Sequence, residues 1–133
     1  MSDQCFRIFL KSTWSEAFNL LFNACDKVAE QLSLAGPYRQ VFWPADGSDP
    51  MPFEASRDGK EFVGNVQIWL SNDFDLFIGW IVTERCIEIE IDQRGKSDHE
   101  KVIIFSSMYR EILKNGLNLI GSGNVMEIIF YKE

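Results

Sequence analysis

The segment CIEIEID at residues 86–92 contains the carboxylates whose spacing is most suggestive of chemistry. In a β-strand, Glu88, Glu90 and Asp92 would all lie on one face, about 7 Å apart along the chain, because side chains alternate between the two faces. Such a row could bind a metal ion or a basic partner. A hard cation needs oxygens that converge on it, whereas these side chains run parallel. We therefore expect no metal site here.

The alternation has both a structural and a functional interpretation. It is typical of a solvated sheet face with cross-strand Lys or Arg partners. It is also typical of an edge strand whose charged side chains prevent aggregation. Residues 73–92, however, contain six acids and one base, Arg85, and the other acids are Asp73, Asp75 and Glu84. This excess favours a protein-binding face, which is the interpretation that we carry forward.

Trp69 is the candidate anchor of that face. Alternation places it on the polar side of a predicted strand at 61–70. The residues expected on the opposite, core side are Phe62, Val66, Ile68 and Leu70. Trp69 would then project with the acids, unless the second predicted helix covers that side of the sheet. Aromatic anchors ringed by charges are typical of tight protein interfaces.

The remaining reactive residues form no catalytic pattern. The single histidine, His99, lies in the charged stretch SDHEK at a predicted helix start, where a solvated first-turn residue is expected. Cys5, Cys25 and Cys86 lack the close spacing of a zinc site. The GSG stretch at 121–123 lacks the strand-to-helix context of a phosphate loop and predicts a turn. We expect no enzyme, no cofactor and no catalytic residue.

The charge of the 133-residue chain restricts its partners. Twenty Asp and Glu against 13 Lys and Arg give a formal net charge of −7 and a pI near 4.7. A surface of that sign repels nucleic-acid backbones and anionic membranes and attracts basic proteins. The sequence therefore predicts a basic protein partner and no direct binding to nucleic acid.

The N-terminal sequence and the cysteines predict a cytoplasmic protein. Asp3 stands where a signal peptide would be positive, and Arg7 and Lys11 interrupt the apolar run that would follow. No stretch approaches the roughly 18 apolar residues of a membrane span. An odd number of cysteines without an export signal predicts reduced thiols.

Apolar periodicity predicts a single α+β domain over all 133 residues, in the order β-α-β-β-β-β-α-β. The first helix starts at a capping box formed by Thr13 and Glu16 and runs to the stop signals Gly36 and Pro37. The links between the later strands are too short for parallel crossovers, so we expect an antiparallel sheet of about five to six strands with two helices. The predicted strands are 5–11, 38–43, 61–70, 74–83, 86–92 and 125–131.

The second helix is predicted after another capping box, Ser97 and Glu100, and is expected to end at Gly116. The VIIF stretch at 102–105 has strand-like propensity, which leaves the start of this helix open. A loop is expected at 118–124.

Two further segments are assigned from their turn residues. The segment 44–52 has three prolines and predicts a loop, either a functional lid or a surface excursion. The pair Asp58 and Gly59 lies between strand-like flanks and is a hairpin signal.

A small acidic α+β chain with a charged and aromatic sheet face resembles the immunity proteins of bacterial toxin systems. The resemblance covers size, charge and the acid-rich segment WIVTERCIEIEID. Immunity proteins bind and block a cognate toxin, often a basic nuclease. The resemblance implies a monomeric inhibitor that occludes the active or substrate-binding surface of its toxin, with steering by the acids at 73–92.

Two other classes remain open from the sequence. A secretion chaperone is also small, acidic and α+β, but it would dimerise and hold its client in exposed apolar grooves. A small-molecule-binding or enzymatic domain would need a concave pocket, which the segment 44–60 over the sheet could supply.

Overall fold

The computed structural model describes residues 5–35, 39–119 and 126–131. Its elements in chain order are β1 (Cys5–Leu10), α1 (Trp14–Gln31), β2 (Arg39–Trp43), β3 (Met51–Pro52), α2 (Ala55–Asp58), β4 (Val63–Trp69), β5 (Asp75–Val82), β6 (Ile87–Asp92), α3 (Asp98–Leu119) and β7 (Met126–Tyr131). The strands form one antiparallel sheet in the order β3-β2-β4-β5-β6-β1-β7. The predicted α+β class and antiparallel pairing are confirmed.

The strand count differs slightly from the expectation because of β3. In the described ranges, six strands have five or more residues, and β3 adds a two-residue pairing at the edge beside β2. β1 lies between β6 and β7, so the N-terminal strand is inside the sheet.

Both long helices pack on the same face of the sheet. That face is an apolar layer of alternate, buried strand residues: Phe6, Ile8, Leu10, Phe42, Val66, Ile68, Leu76, Ile78, Trp80, Ile87, Ile89 and Ile91. From α1, the Phe18 ring lies 6.4 Å from the Trp80 ring. From α3, the Phe105 ring lies 5.4 Å from the Phe6 ring, edge to face. The opposite face of the sheet has no helix over it in the described part of the chain.

The two predicted capping boxes are both formed. The Glu16 amide donates to Thr13 Oγ1 at 3.2 Å, and the Thr13 amide donates to Glu16 Oε1 at 3.2 Å. At α3, the Glu100 amide donates to Ser97 Oγ at 3.1 Å and the Ser97 amide to Glu100 Oε1 at 2.8 Å. Each box satisfies backbone amides that the first helical turn leaves without a partner.

The first helix ends earlier than predicted, at Gln31. The Leu34 amide donates to the Ala29 carbonyl at 2.8 Å, and Ser33 has a φ of 57°. This is the hydrogen-bonded reversal that usually places a glycine in the left-handed position. Ser33 takes that position, so the helix ends before the expected stop signals at 36–37, which lie outside the described residues.

The second predicted helix starts directly after its capping box and ends later than expected. It begins at Asp98, so the VIIF stretch at 102–105 is helical, and it continues past Gly116 to Leu119. The expected loop at 118–124 is thus wrong at its first two residues. Its remainder lies outside the described residues, as do the GSG stretch and the predicted strand start at 125.

The hairpin predicted at Asp58 and Gly59 is wrong. Asp58 ends the short helix α2, and Gly59 has a right-handed φ of −67°, whereas a two-residue hairpin needs positive φ. The segment before it carries Phe53, whose ring stacks on Phe18 with centroids 4.6 Å apart. The segment 44–62 therefore closes one end of the core.

The three cysteines are free thiols with different environments. Cys5 and Cys25 are buried, and Cys86 is half-buried. Burial raises the pKa of the Cys25 thiol to about 12, with a smaller effect of the Asp26 charge. Because alkylation requires the thiolate, Cys25 is protected twice, by exclusion of the reagent and by its protonation.

We expect iodoacetamide to label Cys86 first in the folded protein and all three thiols in denaturant. Mass spectrometry of the peptides after timed quenching measures this order. Labelling of Cys25 as fast as Cys86 in the folded state would contradict the packing of α1. A stoichiometric bridge between any two would contradict the prediction of reduced thiols.

Candidate protein-binding face

The surface of the sheet opposite the helices is here called the open face. It consists of alternate residues on five strands, all of them half-buried or exposed: Arg7, Phe9, Arg39, Val41, Trp43, Val63, Asn65, Gln67, Trp69, Asp75, Phe77, Gly79, Ile81, Glu88, Glu90 and Asp92. Aromatic, aliphatic and charged side chains are mixed on it.

The structure brings together five of the seven residues predicted to bind a partner. Those on the open face are Trp69, Asp75, Glu88, Glu90 and Asp92. Trp69 is not covered by the second helix; it pairs across strands with Asp75, and the Arg39 guanidinium lies 4.9 Å from its ring centroid. Asp73 and Glu84 are exposed in the turns after β4 and β5, at opposite ends of the strands.

The carboxylates of β6 have basic neighbours. Arg7, on the adjacent strand β1, places Nη1 3.3 Å from Glu88 Oε1 and Nε 3.4 Å from Glu90 Oε2. The Arg94 Nε donates to Asp92 Oδ2 at 2.9 Å. The predicted acidic row is therefore a set of ion pairs, the arrangement expected of a solvated sheet face.

A hydrogen-bonded chain links three further strands on this face. The Trp43 indole Nε1 donates to Gln67 Oε1 at 3.1 Å, and Gln67 Nε2 donates to Asp75 Oδ2 at 2.7 Å. The Lys96 ammonium lies 3.6 Å from Asp75 Oδ1. These bonds hold Trp43 in place while its ring remains partly exposed.

On the five strands named above, the charges on and beside the open face balance. Its four carboxylates are matched by four cations: Arg7, Arg39, Arg94 and Lys96. The excess acidity lies elsewhere, for example in the segment 44–61, which has five acids and two bases. An excess of negative charge therefore does not support a function for the open face, and any such function must rest on its exposed uncharged side chains.

Three exposed apolar residues lie together at one end of this face. Phe62 is 75% exposed, Val63 46% and Ile81 43%, and Val63 pairs directly with Ile81 across β4 and β5. The expectation that Phe62 faces the core is wrong, because it precedes the first paired residue of β4. Ile81 was not singled out from the sequence. The alternation along β5 nevertheless places Ile81 on the same face as Asp75, so this alternation could have identified it.

A depression lies beside this apolar end, above Gly79. Its volume is about 170 Å³, and its lining includes Asn65, Ile81, Glu88 and Glu90. Among the open-face residues, Gly79 alone lacks a side chain, which leaves the backbone as the floor.

Other features give no site. Within the described ranges, no group of three or more His, Cys, Asp or Glu residues is placed to hold a metal ion. His99 is exposed in the first turn of α3. A groove of about 510 Å³ at the end of the sheet, with Lys11, Trp14 and Cys86 in its lining, lies outside the open face.

Comparison with protein-family models, with curated proteins and with solved structures finds no match to this chain. No helix within the described residues is long and apolar enough to cross a membrane.

Proposed function

We propose that this chain is a protein-binding inhibitor and that its partner docks on the open face. The observation that carries the proposal is the exposure of Trp43, Val63 and Ile81 on the helix-free face of the sheet. A sheet face left to solvent is ordinarily polar. Apolar side chains among ion pairs have instead the mixed composition of a protein interface.

The finer proposal is that the partner is a basic bacterial toxin domain and that the chain is its cytoplasmic immunity protein. The net charge of −7 supports a basic partner, because long-range attraction depends on the charge of the whole chain. The proposed mechanism is occlusion of the toxin's active or substrate-binding surface by a monomer. Occlusion needs no catalytic residue, metal or cofactor and no direct contact with nucleic acid.

A growth assay tests the proposal. Where a neighbouring gene encodes a large protein with a basic C-terminal domain, that domain is the candidate toxin and is expressed with and without this chain. We expect co-expression to restore growth and the purified domains to form a complex on size exclusion. Unchanged toxicity without a complex would contradict the toxin proposal.

A matched pair of substitutions locates the docking face. Ile81→Arg places a cation on the open face, where it repels a basic partner, and should abolish rescue. Val102→Arg makes the same change on α3, where Val102 is 65% exposed, and should leave rescue intact. Equal effects of the two would contradict docking on the open face.

The carboxylates of β6 should act mainly on the rate of association. The double change Glu88→Gln and Glu90→Gln leaves the Arg7 charge unbalanced and removes two negative charges from the chain, so a basic partner is attracted less strongly. We expect slower association with a flatter salt dependence, since charges at an interface act chiefly on encounter. The free energy of unfolding should change by only about 0 to 1 kcal/mol, as for other exposed ion pairs. Stopped-flow kinetics at several salt concentrations measures the effect.

Two further variants distinguish the effect of charge on association from the effect of direct contact on dissociation. Glu30→Gln removes one charge from the exposed surface of α1 and should leave association nearly unchanged. Trp69→Ala should raise the dissociation rate instead, with a loss of about 2 kcal/mol or more of binding free energy if this side chain is an anchor. Wild-type association of the double variant at low salt would show that the acidic row is only a solvated face.

A further inference from the structure

The two edges of the sheet differ in how well they are protected against pairing with another strand. At one edge lies β3, which has only two residues and includes Pro52. At the other edge lies β7, which pairs with β1 along all six of its residues and, among the described residues, with no other strand. Short strands and prolines block pairing between edges, so the β3 edge is protected and the β7 edge is not.

The sequence of β7 also lacks the residues that usually protect an edge. Its six residues, MEIIFY, contain one charge, Glu127, and neither lysine nor proline. An edge strand presents a row of backbone N–H and C=O groups to its surroundings. A strand of this composition at an edge therefore favours the addition of another strand.

The helix layer exposes aromatic surface beside the same edge. The Phe105 ring of α3 lies on Phe6 in β1, the strand next to β7, and stacks on Tyr109 with centroids 5.8 Å apart. Tyr109 is 42% exposed. The other flank of α3 contacts α1, since Gln31 Nε2 donates to Ser107 Oγ at 3.3 Å. Two residues are about 200° of helical rotation, so Tyr109 faces away from α1, on the β7 side of the molecule.

The charge of this part of the chain suits a second copy better than a basic partner. Residues 101–133, which include β7 and most of α3, contain three acids and four bases, whereas residues 1–100 contain 17 acids and nine bases. A basic partner is attracted to the acidic part of the chain. Two copies that meet at the β7 edge bring no excess of like charge together, and salt screens their more distant acids with a Debye length of about 8 Å.

We propose that β7 pairs antiparallel with β7 of a second copy, which joins the two sheets into one. The two-fold axis of this dimer is perpendicular to the sheet, so both helix layers lie on the same side. The register centred on Ile129 places Glu127 opposite Tyr131 of the second copy, whose phenol can donate a hydrogen bond to the carboxylate. A register centred on Ile128 would instead place Glu127 opposite an isoleucine.

This inference goes beyond the proposed function and does not depend on it. The open face lies on the side of the sheet opposite the helices, so both open faces stay accessible in the dimer and point in the same direction. Each chain remains the single occluding unit of the proposed function. The dimer presents two such units side by side.

Sedimentation velocity of the full chain over a range of concentrations tests the dimer. One strand edge is a small interface compared with the roughly 1,200 Å² at which stable complexes begin, so we expect weak association. The weight-average mass should rise with concentration from 15.4 kDa toward twice that value. A mass that stays at that of one chain up to about 1 mM would overturn the proposal.

A matched pair of lysine substitutions locates the interface. Ile129→Lys should weaken self-association at least tenfold, because it places two cations opposite each other at the two-fold axis. Ile81→Lys makes the same change at a 43% exposed residue of β5, three strands away from β7, and should associate as the wild type does. Equal effects of the two substitutions would contradict pairing through β7.

A disulfide tests the register independently of the lysine variants. The background is Cys86→Ser, which removes the half-buried thiol. Ile129→Cys places two thiols opposite each other, where paired Cα atoms lie about 4.5 to 5.5 Å apart, within the range of a disulfide. Glu127→Cys leaves its two thiols four residues apart along the strands, about 13 Å.

We expect mild oxidation to cross-link the Ile129→Cys variant alone, as seen on a non-reducing gel. Cross-linking of neither variant, or of both equally, would overturn the proposed pairing.

The growth assay separates this inference from the proposed function. If rescue occurs while the chain stays monomeric, only the dimer is refuted. If the chain dimerises without rescue, only the toxin proposal is contradicted. If the chain stays monomeric and Ile129→Lys prevents the complex with the toxin domain, β7 receives a strand of the partner and the second-copy proposal is refuted.

Discussion

Leu21→Ala should lower the free energy of unfolding by about 2 to 5 kcal/mol, the range for truncated core leucines. Leu21 is 1% exposed on the side of α1 that packs against the sheet. Its removal both loses buried apolar surface and leaves a cavity that the surrounding core side chains fill only in part. Urea unfolding followed by tryptophan fluorescence measures the change.

The control is Leu113→Ala, the same substitution on α3 at a side chain that is 39% exposed. It should cost about 1 kcal/mol or less, as for most surface changes. A loss below about 0.5 kcal/mol for Leu21→Ala would mean that the apolar stripe of α1 does not face the core.

The apolar stripe of α1 was predictable because its signal is local. Spacing of three and four residues along one helix depends on no other part of the chain. The end of the same helix was not predictable in this way. Ser33 adopts a left-handed conformation that residues other than glycine seldom take, while Gly36 was the obvious stop signal.

The candidate site was predictable in its pattern but not in its electrostatics. Alternation alone places Glu88 and Glu90 on one face of a strand. Their partner Arg7 lies in β1, and only the insertion of β1 between β6 and β7 brings it alongside. Strand order depends on the packing of the whole sheet, so the balance of charge on the open face could not be read from spacing.

The hairpin predicted in the segment before β4 was wrong for a different reason. Asp58 followed by Gly59 has the composition of a hairpin turn, yet the Asp58 side chain has a structural role that composition does not reveal. It is 3% exposed and accepts hydrogen bonds from Arg57 Nε at 2.7 Å, Arg57 Nη2 at 2.9 Å and the Glu54 amide at 2.9 Å. Arg57 also donates to the Pro52 carbonyl at 2.9 Å, which ties α2 to β3.

These contacts make stability dependent on pH. The hydrogen bonds from Arg57 hold the pKa of Asp58 below its ordinary value in spite of burial, and the Glu54 amide acts in the same direction. A pKa that is lower in the folded state means that the ionised group stabilises the fold. The contribution is complete above the unfolded pKa, about 3.9, and is lost as the pH falls through the folded value.

Asp58→Asn should therefore cost about 1.5 to 3 kcal/mol at neutral pH, the range for a hydrogen bond to a charged group. The cost should shrink as the pH falls below about 4, because protonation removes the same charge from the wild type. Urea unfolding at a series of pH values measures the difference between the two proteins. Asp73→Asn, the same change in an exposed turn, should stay within about 0.5 kcal/mol at neutral pH.

A constant difference between wild type and Asp58→Asn from neutral to acid pH would contradict the role of the Asp58 charge. It would assign the loss to the replacement of an acceptor oxygen by an amide NH2 group. If the difference in free energy of unfolding decreases at acid pH, the ionised side chain holds α2 against β3. Because the same segment presses Phe53 onto Phe18, loss of that charge should also loosen one end of the core. Amide exchange in residues 51–59 should then rise at neutral pH in Asp58→Asn before exchange in β5 and β6 does.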